Sequence, residues 1–176
     1  MTFDNELIGE AVEKLKELDA LYVPELVCGQ SFFGKIRRFE RSFYNQTVID
    51  ALRFVSRNIY EKVGGFDEKN IAFAPDDWDL TKMIKQVTDK VGITKKAIYH
   101  HEEEMYLRKY LGKKSDYVDT FEAYIKKWGK EDKDIKKQFG FYYRFIGVFI
   151  EKGKWKKLLS HPILTIGLYS LRFLVG

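Results

Sequence analysis

Three aspartates surround a tryptophan at residues 76–79, where the sequence reads DDWD. An apolar stripe with helical spacing follows, so these acids lie at a predicted helix start. Acids at such a start stabilise free N–H groups and meet the positive end of the helix dipole. A carboxylate held there is also well placed to act as a general base. Capping accounts for one or two acids, so both interpretations remain open for Asp76, Asp77 and Asp79.

Other residues able to do chemistry lie on either side of this helix start. The turn VGGFDE occupies residues 63–68, and a predicted strand ends in His100 and His101. A strand-end histidine often bonds to the backbone, and neighbouring strand residues point to opposite faces, so two such histidines rarely bind one ion. Arg53 and Arg57 have the charge to meet a phosphate group, or are ordinary surface arginines.

Composition places the chain among globular proteins. It has 176 residues, of which 45% are hydrophobic and 16% aromatic, enough for one domain with a core. Its one cysteine, Cys28, excludes an internal disulfide framework and a Cys-rich zinc site. The first twenty residues are acidic and have the spacing of a helix, unlike a secretory signal.

The elements that must position the acids alternate between strands and helices. Residues 4–19 predict a helix capped by Asp4, and the apolar segment after it predicts a strand that ends or bends at Pro24. Only helices are predicted after Glu104, so the pattern indicates an α/β fold followed by a helical tail. The other predicted elements are a helix over 31–44, a strand over 49–57, a helix over 58–63 closed by Gly64 and Gly65, a helix with the stripe Leu80, Met83, Ile84, Val87 and Val91, a strand over 96–102, and a helix with the stripe Tyr117, Val118, Phe121, Tyr124, Ile125 and Trp128.

The segment RFVSRNIYEKVGGFDEKNIAFAPDDWDL, residues 53–80, resembles the acceptor side of glycosyltransferase family 2 enzymes. That family has the GT-A fold and carries an arginine, a VGGFDE stretch, an acidic pair followed by WDL, and a strand ending in histidine. All of these features occur here in the same order, and similarity extends over nearly the whole chain. Each piece alone is weak, and the combination is specific.

The resemblance implies roles for individual residues. Asp77 matches the catalytic base, which takes the proton from an acceptor hydroxyl, and Asp76 would hold the acceptor or shape the local field. His100 becomes a candidate contact to a divalent metal, Mg²⁺ or Mn²⁺, or to the diphosphate. Asp79 would anchor the helix start. The implied substrate-binding residues are Arg53, Gly64, Gly65, Phe66, Asp67 and Trp78.

The front of the chain departs from the family pattern. Family members begin with a nucleotide-binding half that ends in an Asp-x-Asp metal motif, and residues 1–176 contain no such half. The resemblance therefore implies residues 1–112 as the C-terminal part of a partial GT-A (Rossmann-like) domain, followed by a basic, aromatic-rich tail over residues 113–176. On its own, such a fragment is expected to have weak or no activity. Its implied partners are a nucleotide-sugar donor and a saccharide or lipid-linked acceptor.

The tail carries the basic excess of the chain. Residues 121–176 contain 12 Lys and Arg against 5 Asp and Glu, while the whole chain has a net charge of +5. Lysines 152, 154, 156 and 157 surround Trp155, a composition that suits a helix lying on an anionic membrane surface. Helices packed on protein are the other interpretation, and no nucleic acid partner is expected because no such motif occurs. The expected location is cytoplasmic, peripheral on the cytoplasmic membrane face.

Two functions from different classes remain open. The first is transfer of a sugar, with inversion, from a nucleotide-sugar to a hydroxyl of a surface polysaccharide or glycolipid. The alternative is a non-catalytic module that binds a membrane surface or an acidic polymer. Turnover of a donor distinguishes the two.

Overall fold

The computed structural model describes residues 1–71, 75–101 and 118–175, and for residues 118–120 and 175 it describes the backbone alone. Within these residues the chain is a mixed α/β protein with two small sheets and a helical C-terminal region. The prediction of an α/β fold with a helical tail is confirmed at this level. The predicted domain division at residues 112 and 113 lies outside the described residues, as does Tyr117.

The described strands are short and form two three-stranded sheets. In the first, with order β1-β6-β3, β6 pairs antiparallel with β1 and parallel with β3. In the second, with order β4-β2-β5, β2 pairs antiparallel with β4 and parallel with β5. The strands are β1 (Thr2–Phe3), β2 (Ala20–Tyr22), β3 (Glu25–Cys28), β4 (Leu52–Val55), β5 (Val91–Ile93) and β6 (Ile98–His101).

Pro24 sends one apolar segment into two sheets. Proline has no N–H to give to a ladder, so a strand cannot continue through it in the middle of a sheet. The segment therefore forms β2 in the second sheet and, after Val23 and Pro24, β3 in the first. The Pro24 carbonyl still accepts a hydrogen bond from Ile98 N at 2.9 Å, which places β6 beside β3. The predicted break at Pro24 is confirmed.

The helices of the N-terminal part follow their apolar spacing. Ser31 begins the second helix, where its hydroxyl accepts from Gly34 N at 3.0 Å. Gly64, with φ of 83°, ends the third helix in the left-handed conformation that glycine favours. These helices are α1 (Leu7–Lys14), α2 (Phe32–Arg41), α3 (Arg57–Val63) and α4 (Asp76–Val87).

Two local predictions are wrong. Asp4 does not cap α1, whose N-cap is Glu6, because the Asp4 carboxylate instead accepts from Ala97 N at 2.9 Å and ties the chain start to β6. Val91 does not continue the stripe of α4. Thr88 turns the chain into extended conformation, and Val91 then pairs with Ala20 in a strand that the periodicity did not reveal.

The C-terminal part contains only helices and helical turns among its described residues, as predicted. Asp132 caps one of them by accepting from Asp134 N at 2.9 Å and Ile135 N at 3.1 Å. The elements are α5 (Val118–Trp128), α6 (Lys133–Phe139), a π-helical turn (Tyr143–Gly147), α7 (Val148–Ile150), a 3-10 turn (Glu151–Gly153), α8 (Trp155–Ser160) and α9 (Pro162–Val175).

The C-terminal helices share a core with α2. The ring of Phe43, just after α2, packs edge-to-face against the ring of Phe149, with 5.1 Å between the ring centroids. Both side chains are fully buried. Leu168 and Leu171 of α9 pack against the same cluster. A second cluster joins β2 and β4 to α4 through buried Ile84. The start of α4 is therefore fixed between the sheets and the C-terminal helices.

Truncating Ile84 to alanine tests the core face of α4. Ile84 is 0% exposed, so Ile84→Ala should lower the free energy of unfolding by about 2–5 kcal/mol, measured by urea denaturation. Val87 on the same helix is 37% exposed, and Val87→Ala is the matched control, with an expected loss of about 0.5 kcal/mol. Equal losses in the two variants would contradict this orientation of the helix.

Candidate functional site

Asp76 and Asp77 are the first two residues of α4. The N-cap is Pro75, which has no polar side chain, so the cap position itself is not acidic, contrary to the capping interpretation. Both carboxylates nevertheless lie in the first turn, where the helix dipole favours negative charge. The Asp77 side chain remains 36% exposed, so solvent or a ligand can reach it.

Arg53 on β4 bridges Asp77 to a second, buried acid. Its Nη1 lies 3.4 Å from Asp77 Oδ2, while its Nε and Nη2 donate to Glu25 Oε1 at 3.0 Å and 2.6 Å. This two-point contact fixes the guanidinium plane. Arg53, expected to bind substrate, is thus held beside the predicted base.

Glu25 on β3 is the centre of this group. Its other oxygen, Oε2, accepts from Arg41 Nη2 at 2.6 Å and Nε at 2.9 Å, and His100 Nε2 lies 3.2 Å from it. Burial alone would raise the pKa of Glu25, but the contact with His100 and the charges of Arg41 and Arg53 hold it well below its usual range. We call Glu25, Arg41, Asp50, Arg53, Asp77 and His100 the Glu25 cluster.

Sequence reasoning missed Glu25, although one signal was present. Glu25 directly follows Pro24 inside an apolar segment, ALYVPELVCG, and an acid at a core position needs a buried partner. Asp50 was missed as well. It is 2% exposed, lies 3.3 Å from Arg41, and accepts from Gln46 N at 2.8 Å.

The pKa of Asp77 differs in direction from that of Glu25. Burial raises the pKa of Asp77, and the charge of Arg53 lowers it only in part, while neighbouring Asp76 raises it further. Arg53 makes its shorter hydrogen bonds to Glu25 and its longer one to Asp77. A carboxylate whose pKa is raised, and which is still accessible, is chemically a better proton acceptor than an ordinary aspartate.

Asp79 belongs to a different group of contacts. Residues two positions apart in a helix are rotated by about 200° around the helix axis, so Asp79 faces away from Asp77. Its buried carboxylate accepts from Lys127 Nζ at 2.7 Å and Trp128 Nε1 at 2.6 Å, and Lys127 also reaches Asp67 Oδ2 at 3.0 Å. Asp79 thus anchors α5 to α4, a role beyond the expected one at the helix start.

The predicted glycine turn lines a groove on the Asp79 side. The groove has a volume of about 410 Å³, and Asp77 is not among its described lining residues. Gly65 has φ of 72°, and a Cβ there would lie 2.9 Å from the Tyr60 ring, so the turn requires glycine. The lining residues are Val63, Gly64, Gly65, Phe66, Asp67, Glu68, Lys69, Met83 and Lys127.

Three other predicted residues lie away from the cluster or face the core. Trp78 donates from Nε1 to Ile49 O at 3.0 Å and stacks on Phe121, with ring centroids 6.1 Å apart. Arg57 pairs with Glu61 on the surface of α3, and His101 Nε2 lies 2.8 Å from Thr2 Oγ1. The predicted site residues therefore divide into the Glu25 cluster, the groove and a structural set.

The surroundings of His100 do not fit a divalent cation. Both oxygens of Glu25 already accept from guanidinium groups, so this carboxylate has no free lone pair directed at a metal. Among residues 1–71, 75–101 and 118–175, no three His, Cys, Asp or Glu side chains converge on one point. The implied Mg²⁺ or Mn²⁺ therefore has no complete ligand set within the described residues.

Removing the charge of Glu25 tests its structural role. Glu25→Gln leaves two guanidinium groups without their carboxylate and should lower the free energy of unfolding at pH 7 by about 3 kcal/mol. The folded-state pKa of Glu25 is depressed, so its contribution is complete above the ordinary value of 4.5 and is lost as the pH falls below it. The difference between wild type and variant should therefore shrink in urea titrations below pH 4.5.

Glu61→Gln is the matched control for this experiment. It also breaks a glutamate–arginine pair, but the Arg57 and Glu61 side chains are 90% and 61% exposed. Such a pair is worth about 0.2–1 kcal/mol, and its loss should be small at every pH. A Glu25→Gln variant as stable as Glu61→Gln would contradict the central role of Glu25.

Comparisons with known protein families, with curated proteins and with solved structures find no match for this chain.

Proposed function

We propose that this chain forms the acceptor side of a family 2 glycosyltransferase of GT-A fold, with Asp77 as the catalytic base. The observation that carries the proposal is the state of Asp77. This carboxylate starts a helix, is partly exposed, has a pKa raised by burial, and is held by Arg53, which Glu25 locks in place. The motif resemblance independently selects the same residue.

The proposed reaction is an inverting transfer of a sugar to a hydroxyl group. The acceptor oxygen attacks C1 of the nucleotide-linked sugar and forms the new C–O bond, while the bond from C1 to the diphosphate breaks and the nucleoside diphosphate leaves. Asp77 takes the acceptor proton as the oxygen attacks, and Arg53 keeps the carboxylate oriented. Attack opposite the leaving group inverts the anomeric centre.

The groove beside Gly64, Gly65 and Phe66 is a proposed site for a part of the acceptor remote from the reacting hydroxyl, because Asp77 is not among its described lining residues. Lys127 pairs with both Asp67 of this turn and Asp79 of α4, so it ties the turn to the helix that carries Asp77. A bound divalent metal would supply charge neutralisation at the diphosphate. Its ligands are not complete among the described residues, so no step above uses it.

The alternative, a non-catalytic binding module, is favoured by one observation. Large apolar side chains of α8 and α9 are exposed, including Leu159 at 71%. Sugar turnover by a chain that includes the nucleotide-binding half separates the two, because a binding module gives none.

Replacing Asp77 with asparagine tests the proposed base. In an enzyme that joins this chain to a nucleotide-binding half, Asp77→Asn should lower kcat by about 10²–10⁴-fold with little effect on donor affinity. Since the base acts in its ionised form and burial raises the pKa of Asp77, the rate should fall with decreasing pH at a higher value than for an ordinary aspartate. Initial rates across pH measure both effects.

Asp79→Asn is the matched control for Asp77→Asn. It changes an aspartate two positions away whose oxygens are bonded to Lys127 and Trp128, so its main effect should be on thermal stability. Near-normal kcat in Asp77→Asn would overturn the assignment of the base. So would a stability loss in that variant as large as in Asp79→Asn.

A donor-binding measurement on residues 1–176 alone tests the proposal that this chain forms the acceptor side and that another half binds the donor. Because the metal ligand set is incomplete in the described residues, we expect no Mn²⁺-dependent binding of nucleotide-sugars by isothermal titration calorimetry. The same titration with Mg²⁺ in place of Mn²⁺ should also show no binding. Tight, metal-dependent binding to the isolated chain would show that the donor site is complete without another half.

A further inference from the structure

Helix α9 presents an uncharged apolar face to solvent. Ile163 and Ile166 are 70% and 69% exposed, and Phe173 is 76% exposed. The opposite face of the helix is buried through Leu168 and Leu171. Exposed apolar side chains on this scale along one helix mark an interaction surface.

The one charged residue of α9 faces inward. Arg172 is 5% exposed, and its Nη2 lies 2.8 Å from Glu40 Oε1 of α2. Glu40 also bonds to Arg37 and to the Tyr44 hydroxyl. This contact fixes α9 to α2 and, at the same time, removes the charge from the outer face.

The apolar face continues onto α2. Phe32, which is 55% exposed, lines a groove of about 360 Å³ together with Ile163, Ile166 and Leu174. Gly167 permits this close approach, since a Cβ there would lie 2.5 Å from Ile36 Cδ1. The two helices thus form one surface with an apolar groove along it.

Basic and aromatic side chains lie in the neighbouring helical segment and on α2. Lys152 and Lys156 are exposed, Trp155 is 47% exposed, and Lys35 is exposed three residues after Phe32. By contrast, Lys154 donates to Phe43 O at 2.6 Å and Lys157 bonds to Ser42, so two of the four tail lysines expected at a membrane surface are used inside the fold.

A lipid surface matches this combination of features. A 14-residue helix is about 21 Å long, shorter than the roughly 30 Å core of a bilayer. In the described part of the chain, no helix has the length and apolar character needed to cross a membrane. An apolar face with exposed lysines and a tryptophan close to it in sequence suits a helix lying in the headgroup layer, where anionic lipids attract the cations.

We propose that the exposed face of α9, together with Phe32 and the groove between α2 and α9, inserts into the interface of a bilayer that contains anionic lipid. The helix lies parallel to the membrane plane, and the groove receives part of an acyl chain. Lys35, Lys152 and Lys156 contact the headgroups. This proposal is independent of sugar transfer, so either can fail without the other.

Flotation of the whole chain with vesicles tests the apolar face. The wild type should bind vesicles of phosphatidylcholine and phosphatidylglycerol, and Ile163→Glu with Ile166→Glu should weaken binding by about tenfold or more. Ile8→Glu with Val12→Glu is the matched control, because these apolar side chains of α1 are also exposed, at 47% and 60%. Circular dichroism checks that both variants remain folded.

A second pair of variants tests the charges. Lys152→Glu with Lys156→Glu should weaken binding to anionic vesicles by about tenfold and leave the weaker binding to pure phosphatidylcholine unchanged. Lys62→Glu with Lys85→Glu, exposed lysines of α3 and α4, changes the net charge equally and should have a smaller effect. Equal losses in the two pairs would show attraction by net charge alone and overturn the proposed face.

Sedimentation equilibrium without lipid tests the competing occupant, a second copy of the chain. We expect a monomer, and the same mass for Ile163→Glu with Ile166→Glu. A wild-type dimer that becomes monomeric in this variant, with vesicle binding unchanged, would assign the face to self-association. Recovery of the wild type in the vesicle-free fraction at low salt would also overturn the proposal.

Discussion

The buried carboxylate of Glu25 is the interaction on which the described N-terminal part depends. Its two oxygens connect β3 to Arg41 of α2, to Arg53 of β4 and to His100 of β6. These strands belong to two separate three-stranded sheets, so the contacts of Glu25 cross from one sheet to the other. A charged group in this position is costly to desolvate, and it is tolerated because every oxygen is paired with a guanidinium. The cluster thus fixes the sheets relative to each other with few residues.

Helix α4 carries this arrangement over to the C-terminal helices. Asp77 on one side of its first turn faces Arg53, and Asp79 on another side receives Lys127 and Trp128 of α5. The tryptophan between them, Trp78, packs its ring on the aromatic cluster of α5 and α6. The DDWD sequence therefore connects α4 to its neighbours, because Asp77, Trp78 and Asp79 each contact a different part of the structure. Asp77 combines its contact with partial exposure and a raised pKa.

Local patterns predicted most elements, because apolar spacing and turn residues act over a few positions. Ser31, Pro24 and Gly64 mark boundaries in the structure as they do in the sequence. Long-range contacts were not accessible in this way. Asp4 has the chemistry of a cap but bonds to a residue more than ninety positions away, and two-residue or three-residue strands have no readable period.

The candidate site shows the same division between local and distant information. The resemblance implied separate roles for Asp77, Arg53 and His100, and the structure adds Glu25, which no motif contained and which contacts Arg53 and His100 while Arg53 contacts Asp77. The tail shows the opposite error. The membrane interpretation took Lys152, Lys154, Lys156 and Lys157 together as available to a partner, whereas Lys154 and Lys157 donate to acceptors within the fold and Arg172 pairs with buried Glu40. Long basic side chains can cross apolar surface in either direction, so their direction is decided by packing.

Burial raises the pKa of Asp77, and competition for Arg53 limits how far the charge of this arginine lowers it. Arg53 makes its two short bonds to Glu25, at 2.6 Å and 3.0 Å, and reaches Asp77 only at 3.4 Å. Glu25 retains the hydrogen bonds from Arg53 because its own pKa is depressed, so the carboxylate remains ionised over the whole neutral range. Asp77 is thereby left with incomplete neutralisation, beside the like charge of Asp76, and its burial prevails. A guanidinium turned fully toward Asp77 would lower its pKa further, so the buried glutamate that connects the sheets also affects the pKa of the partly exposed aspartate.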